Sequence, residues 1–179
     1  MKALVRARAG LWSMLIVLVA LLALAPAPAQ AATLINCTGQ TEILYSPGLT
    51  NQTQAVTYTG EDRATLCISL THPTLQTFVG PFSGGGQLSC TSLMNASQGT
   101  ETLYWNGTST QTSSWTFTYN PVMVGGALVS TVSGPITAGI AAGATLTQVL
   151  VLPLTALAAC SDPGGLPIQR PTSTWAFTG

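Results

Sequence analysis

The sequence predicts an all-β fold, an antiparallel meander closed as a β-sandwich or flattened barrel of about ten short strands. Three observations carry this expectation. Short runs rich in Val, Ile, Thr and aromatic residues recur along the chain, separated by Gly, Pro, Asn and Asp. Several alternate with period two, most cleanly Trp115, Phe117 and Tyr119 against Thr116 and Thr118. Helix signals are scarce: the alanine-rich stretch 138–152 is interrupted by Gly139 and Gly143, carries Val149 and Val151, and closes on Pro153.

Residues 1–31 read as a cleaved secretory signal peptide. Lys2, Arg6 and Arg8 form a positive start, Leu11 to Ala25 is apolar, and Ala29-Gln30-Ala31 is a small-residue cleavage pattern. The apolar run is shorter than the roughly 20 residues a spanning helix needs. Residues 32–179 then form one domain, 148 residues long and large enough to bury a core.

Within that domain, Thr33 to Tyr45 is β-prone, with Gly39 as a bulge, and Ser46-Pro47-Gly48 is a turn. Gln54 to Thr59 is the next strand, and the charged tetrad Gly60-Glu61-Asp62-Arg63 reads as the turn after it. Ala64 to Leu70 alternates, and His72-Pro73 breaks the run. Leu75 to Phe82 and Gln87 to Leu93 are strands on either side of a Gly84-Gly85-Gly86 turn. The hairpin around Asn106-Gly107 follows. Ala127 to Ser133, Ala144 to Leu152 and Thr172 to Thr178 are the later strands, with Ile140 packed inward and a short helical turn at Leu154 to Ala159.

The hairpin is the clearest piece of architecture. Asn-Gly is the favoured pair of a type I′ turn, because both central residues take positive φ. A strict two-residue turn pairs Tyr104 with Ser109 and puts Trp115 on the face of Tyr104, opposite Leu103 and Trp105. Either both faces are then partly buried, or a bulge within Thr108–Ser114 shifts the register by one.

Cys37, Cys67, Cys90 and Cys160 all follow the leader, and an even count in an exported chain reads as two disulfides. Three pairings exist; Cys37–Cys90 with Cys67–Cys160 is the preferred one. No C-x-x-C spacing occurs and there is one histidine, so a zinc site is not expected. Without the leader the chain keeps two arginines, no lysine and five acids, a formal charge of −3. Such a surface lacks the cations for nucleic acid or for an anionic membrane.

The segments Cys37-Thr38-Gly39, Tyr45–Thr50, Gly84–Cys90, the Trp-Asn-Gly hairpin and Ala159–Leu166 together resemble small secreted actinobacterial proteins without an assigned function. The resemblance spans most of the mature chain and rests on turns and cysteines. It implies secretion and a β fold, and carries over no catalytic residue.

No catalytic, cofactor or metal site is expected. His72 lacks a G-x-S-x-G partner and reads as a turn residue. Glu42, Glu61, Asp62 and Glu101 are the carboxylates from which a glycosidase pair would be drawn. Tyr104, Trp105, Trp115 and Trp175 are either core or a binding strip. The leading expectation is a secreted, extracellular, non-enzymatic binding or interaction module for a protein, a glycan or a small apolar ligand. A small-ligand carrier with a barrel cavity and a glycan-acting hydrolase are the alternatives.

Overall fold

The structure is a computed structural model that describes residues 33–179, so the expected leader lies outside the described residues. Nine strands follow in order: β1 Thr33–Leu49, β2 Gln54–Ser69, β3 Phe78–Leu88, β4 Ser97–Trp105, β5 Thr112–Val124, β6 Ala127–Gly139, β7 Thr145–Pro153, β8 Leu166–Gln169 and β9 Thr172–Thr178. Two 3₁₀ segments, Cys90–Met94 and Leu154–Ser161, link β3 to β4 and β7 to β8. The expected strand at Gln87–Leu93 is therefore divided between the end of β3 and a 3₁₀ segment.

Every strand pairing is antiparallel. β1 settles the choice between sandwich and barrel. It pairs with β2 along one edge and with β9 along the other, so β1–β7 and β9 close on themselves. β8 continues the β9 edge of β1, with Gln40 opposite Thr172 and Ile43 opposite Gln169. Closure pairs sheet edges that would otherwise lie open. The β3–β4 seam is the thinnest, holding only the pairs Phe78–Trp105 and Val79–Tyr104.

Two expected turns are strand interior. The tetrad Gly60–Arg63 lies in mid-β2, and Gly84–Gly86 lies in β3, where Tyr58 is opposite Gly84 and Gly60 opposite Phe82. The glycines keep these β positions because an aromatic ring covers each: a Cβ on Gly60 would meet the Phe82 ring at 2.3 Å, and one on Gly84 would meet the Tyr58 hydroxyl at 2.4 Å. Ser46-Pro47-Gly48 is likewise inside β1, while the bulge expected at Gly39 is present between Thr38 and Gly39.

The hairpin turns at Asn106 (φ 51°) and Gly107 (φ 71°), with Thr108 N–H donating to Trp105 O at 3.0 Å. Its register is not that of a two-residue loop. Tyr104 pairs with Thr112 and Glu101 with Trp115, so three additional residues are looped out. Trp105 and Trp115 consequently share the inner face, through a longer loop that moves the register by three residues rather than through the expected one-residue bulge. Asn106 also fastens the preceding loop. Its Oδ1 accepts from the backbone N–H of Gln76 (3.0 Å) and Thr77 (3.3 Å), and its Nδ2 donates to Thr74 O (2.9 Å).

Inward residues form two apolar clusters. The larger gathers Ile35, Phe78, Leu103, Trp105, Trp115, Ile136, Leu146, Trp175 and Phe177; the smaller gathers Tyr45, Leu49, Val56 and Leu166. Phe78 sits edge-on between Trp105 (5.2 Å) and Trp175 (5.0 Å), a favoured aromatic geometry.

Both disulfides form, but not in the preferred pairing. Cys37 bonds Cys67 and Cys90 bonds Cys160. Cys37 and Cys67 are directly opposed in the β1–β2 register with Cα atoms 4.0 Å apart, and both belong to the larger cluster. Cys90 starts the first 3₁₀ segment, Cys160 is the penultimate residue of the second, and both lie in the smaller cluster. A Cys37–Cys90 bond would have to join the two clusters. Two disulfides mark an oxidising compartment. Among the described residues, no helix is long and apolar enough to cross a membrane.

Candidate functional site

Seven charged residues occur in 33–179, and none lies between Thr102 and Ser161. β5, β6 and β7 therefore present an uncharged outer surface of Thr, Ser and Val. Three of the charged residues, Glu42, Glu61 and Arg63, collect on the outer face of β1 and β2, and Arg170, between β8 and β9, reaches Glu42. Alternation turns Thr41 and Asp62 inward, and so turns Glu42, Glu61 and Arg63 outward. Glu42 stands directly opposite Glu61, and Gln40 opposite Arg63. Arg63 pairs with Glu61, and Arg170 Nε donates to Glu42 Oε2 at 2.7 Å. Gln40, Glu42, Glu61 and Arg63, with Leu44, Thr59 and Gly60, line an open depression of about 480 Å³.

Inside the barrel, a polar layer lies across the strands. Thr41 of β1 donates to Asp62 Oδ1 of β2 and lies 2.7 Å from Ser173 Oγ of β9. Gln148 of β7 donates to both Asp62 oxygens, at 2.9 and 3.0 Å. Glu101 of β4 accepts from the Trp115 indole N–H at 3.0 Å through Oε2, while its Oε1 is buried without a partner. Gly80 of β3, opposite Asp62, makes room for it: a Cβ there would fall 2.0 Å from Glu101 Oε1. Burial pushes the Asp62 carboxyl up to about 6, against the hydrogen bonds from Thr41 and Gln148. Burial, and then the Asp62 charge, pushes Glu101 well above the usual carboxylate range, against the Trp115 bond.

The four candidate carboxylates thus divide into two pairs, Glu42 with Glu61 outside and Asp62 with Glu101 inside. Sequence reasoning placed Asp62 in a solvated turn because of its charged neighbours. The continuing inward set Val56, Tyr58, Gly60, Asp62, Ala64 is the period-two signal that identifies it. The aromatic binding strip is not formed. Trp105, Trp115 and Trp175 are 0–1% exposed core residues, and Tyr104 is half-buried. They lie inside because the looped-out residues put Trp105 and Trp115 in phase, and Trp175 follows Ser173 on the inner face of β9. His72 lies in the turn after β2, with its backbone N–H on Ser69 Oγ. The described residues include no group of three His, Cys, Asp or Glu placed to hold a metal.

No protein-family model, curated protein or solved structure matches the chain.

Proposed function

We propose that the protein is an exported, non-enzymatic binding module that takes a polyhydroxylated ligand, a glycan segment, in the depression on the outer face of β1 and β2. The observation that carries this reading is the gathering of Glu42, Glu61 and Arg63 around one open volume, with Arg170 paired to Glu42, on an otherwise nearly uncharged barrel. Stability does not account for the arrangement. Directly opposed like charges such as Glu42 and Glu61 are destabilising, and exposed ion pairs contribute only about 0–1 kcal/mol. Alternating carboxylates and guanidinium groups supply the acceptors and donors that sugar hydroxyls require, and Leu44 offers an apolar contact for a ring face. The volume lies within the usual range of small-ligand sites. Export is supported by the two disulfides and by the signal-like start of the sequence.

Native mass spectrometry of the protein from its own culture medium, followed by a glycan array, tests the reading. A carbohydrate retained by the wild type should bind at least about tenfold more weakly to Arg63→Ala and Glu42→Gln, a loss of about 1.4 kcal/mol. Both variants should melt with the wild type. Undiminished binding by both would remove the depression as the site.

Glu42 opposite Glu61 in the same depression favours a second reading, glycan hydrolysis by a carboxylate pair. Glu61→Gln separates the two: it abolishes product release if the pair is catalytic, and there is no turnover to lose if the site only binds.

A further inference from the structure

The interior polar layer brings a hydroxyl, a base and a carboxamide together. Thr41 Oγ1 donates to Asp62 Oδ1, and Gln148 Nε2 lies 3.2 Å from that same Oγ1. The carboxamide carbon Cδ of Gln148 is one C–N bond beyond Nε2, about 1.3 Å. Ser173 Oγ, 2.7 Å away, holds the hydroxyl from a further side. Thr41, Asp62, Gln148 and Ser173 are each only 2–3% exposed.

From this geometry we infer that Thr41 and Gln148 join in an intramolecular ester, formed when Thr41 Oγ1 attacks Cδ of Gln148, with Asp62 as the base and ammonia as the leaving group. The Thr41 hydroxyl proton passes to the Asp62 carboxylate as the Oγ1–Cδ bond forms. The Cδ–Nε2 bond then breaks, the nitrogen takes the proton from Asp62, and ammonia departs. Asp62 ends ionised, and no oxidant or reductant is needed. A hydroxyl is a weak nucleophile and becomes competent beside a general base. Asp62, raised to about 6, is ionised at neutral pH and more basic than a solvated carboxylate. Fixing the hydroxyl against the carboxamide replaces a bimolecular encounter with an intramolecular one. Burial keeps out the water that would hydrolyse the product.

The bond would link β1 to β7 across the intervening β9, between residues 107 apart in sequence. It would add a third covalent tie, one that reductants do not cut.

Intact-mass spectrometry of the protein purified after expression of the full chain tests the inference. After complete reduction, the expected mass lies about 17 Da, one ammonia, below that calculated from the observed N-terminus. Tandem mass spectrometry should find the peptide containing Thr41 joined to the one containing Gln148. A reduced mass equal to that of the sequence overturns the proposal. So does a 17 Da loss that maps to cyclised Asn106-Gly107 or to an N-terminal glutamine. Asp62→Asn and Gln148→Glu should both restore the full mass of their own sequences, and Ser173→Ala should keep the link. A link that persists in Asp62→Asn removes Asp62 as the base. The wild-type measurement decides the existence of the bond whatever the yield of the variants.

Discussion

The two buried carboxylates make the barrel more stable in mild acid than at neutral pH. Asp62 titrates near 3.8 when solvated and near 6 in the folded barrel. Between those values the folded state binds more protons than the unfolded one, so stability falls as pH rises. The sign is opposite to that of a salt-bridged carboxylate. At pH 4 only about a fifth of the penalty applies, and by pH 7 nearly all of it does. A shift of about two units corresponds to roughly 3 kcal/mol. Glu101 acts in the same direction, since burial and the Asp62 charge both raise it, and extends the decline to higher pH. For a domain of this size, each kcal/mol moves the midpoint by roughly 2–4 °C, so the melting temperature should drop by roughly 6–12 °C between pH 4 and pH 8. Tryptophan fluorescence during thermal unfolding reads this directly, because Trp105, Trp115 and Trp175 are all core residues. Glu101→Gln keeps the shape and removes one titration, so its profile should be flatter. A wild-type melting temperature that rises from pH 4 to pH 8 would refute the assignment of these groups as acids whose burial outweighs their hydrogen bonds.

Trp115→Ala should cost about 3–5 kcal/mol, seen as a loss of yield and a large fall in denaturant midpoint, because the indole is core and loss of its N–H leaves Glu101 with no partner. Gly107→Val should destabilise through backbone strain alone, since φ is 71° and a Cβ there meets nothing within 4 Å; a melting temperature equal to wild type would count against the turn. Non-reducing peptide mapping should recover Cys37 with Cys67 and Cys90 with Cys160, with no alkylatable thiol in the denatured protein.

Local patterning made most strands legible, and closure left no local trace. Trp115, Phe117 and Tyr119 alternate within a few residues, so their common face was readable, as was the positive-φ turn at Asn106-Gly107. Closure depends on β1 meeting β9, and no short window contains both. The disulfide pairing was hidden for the same reason. Cys37 and Cys67 are adjacent only once the β1–β2 register is known, and a bulge at Thr38 helps to set it. The inner polar layer was hidden differently. Gly60-Glu61-Asp62-Arg63 has turn composition, but the strand continues because the Phe82 ring, well separated in sequence, supplies the side chain that Gly60 lacks. The outer site was partly legible, since Glu42 and Glu61 were named as candidates; their direct opposition needed the fold.

The double pairing of β1 bears on how the chain matures. A polypeptide emerging amino end first can form the β1–β2 ribbon at once and seal Cys37 to Cys67 within it. The other edge of β1 must wait for Thr172–Thr178. Until that segment arrives, β1 and β7 both offer bare backbone, and the intermediate is an open, adhesive sheet rather than a smaller barrel. Proteolytic loss of β9 would return the protein to that condition, with two strand edges free to recruit other chains. Long-range closure is also slow. The chain therefore stays pliable for most of its passage and becomes committed only when β9 seats between β1 and β7.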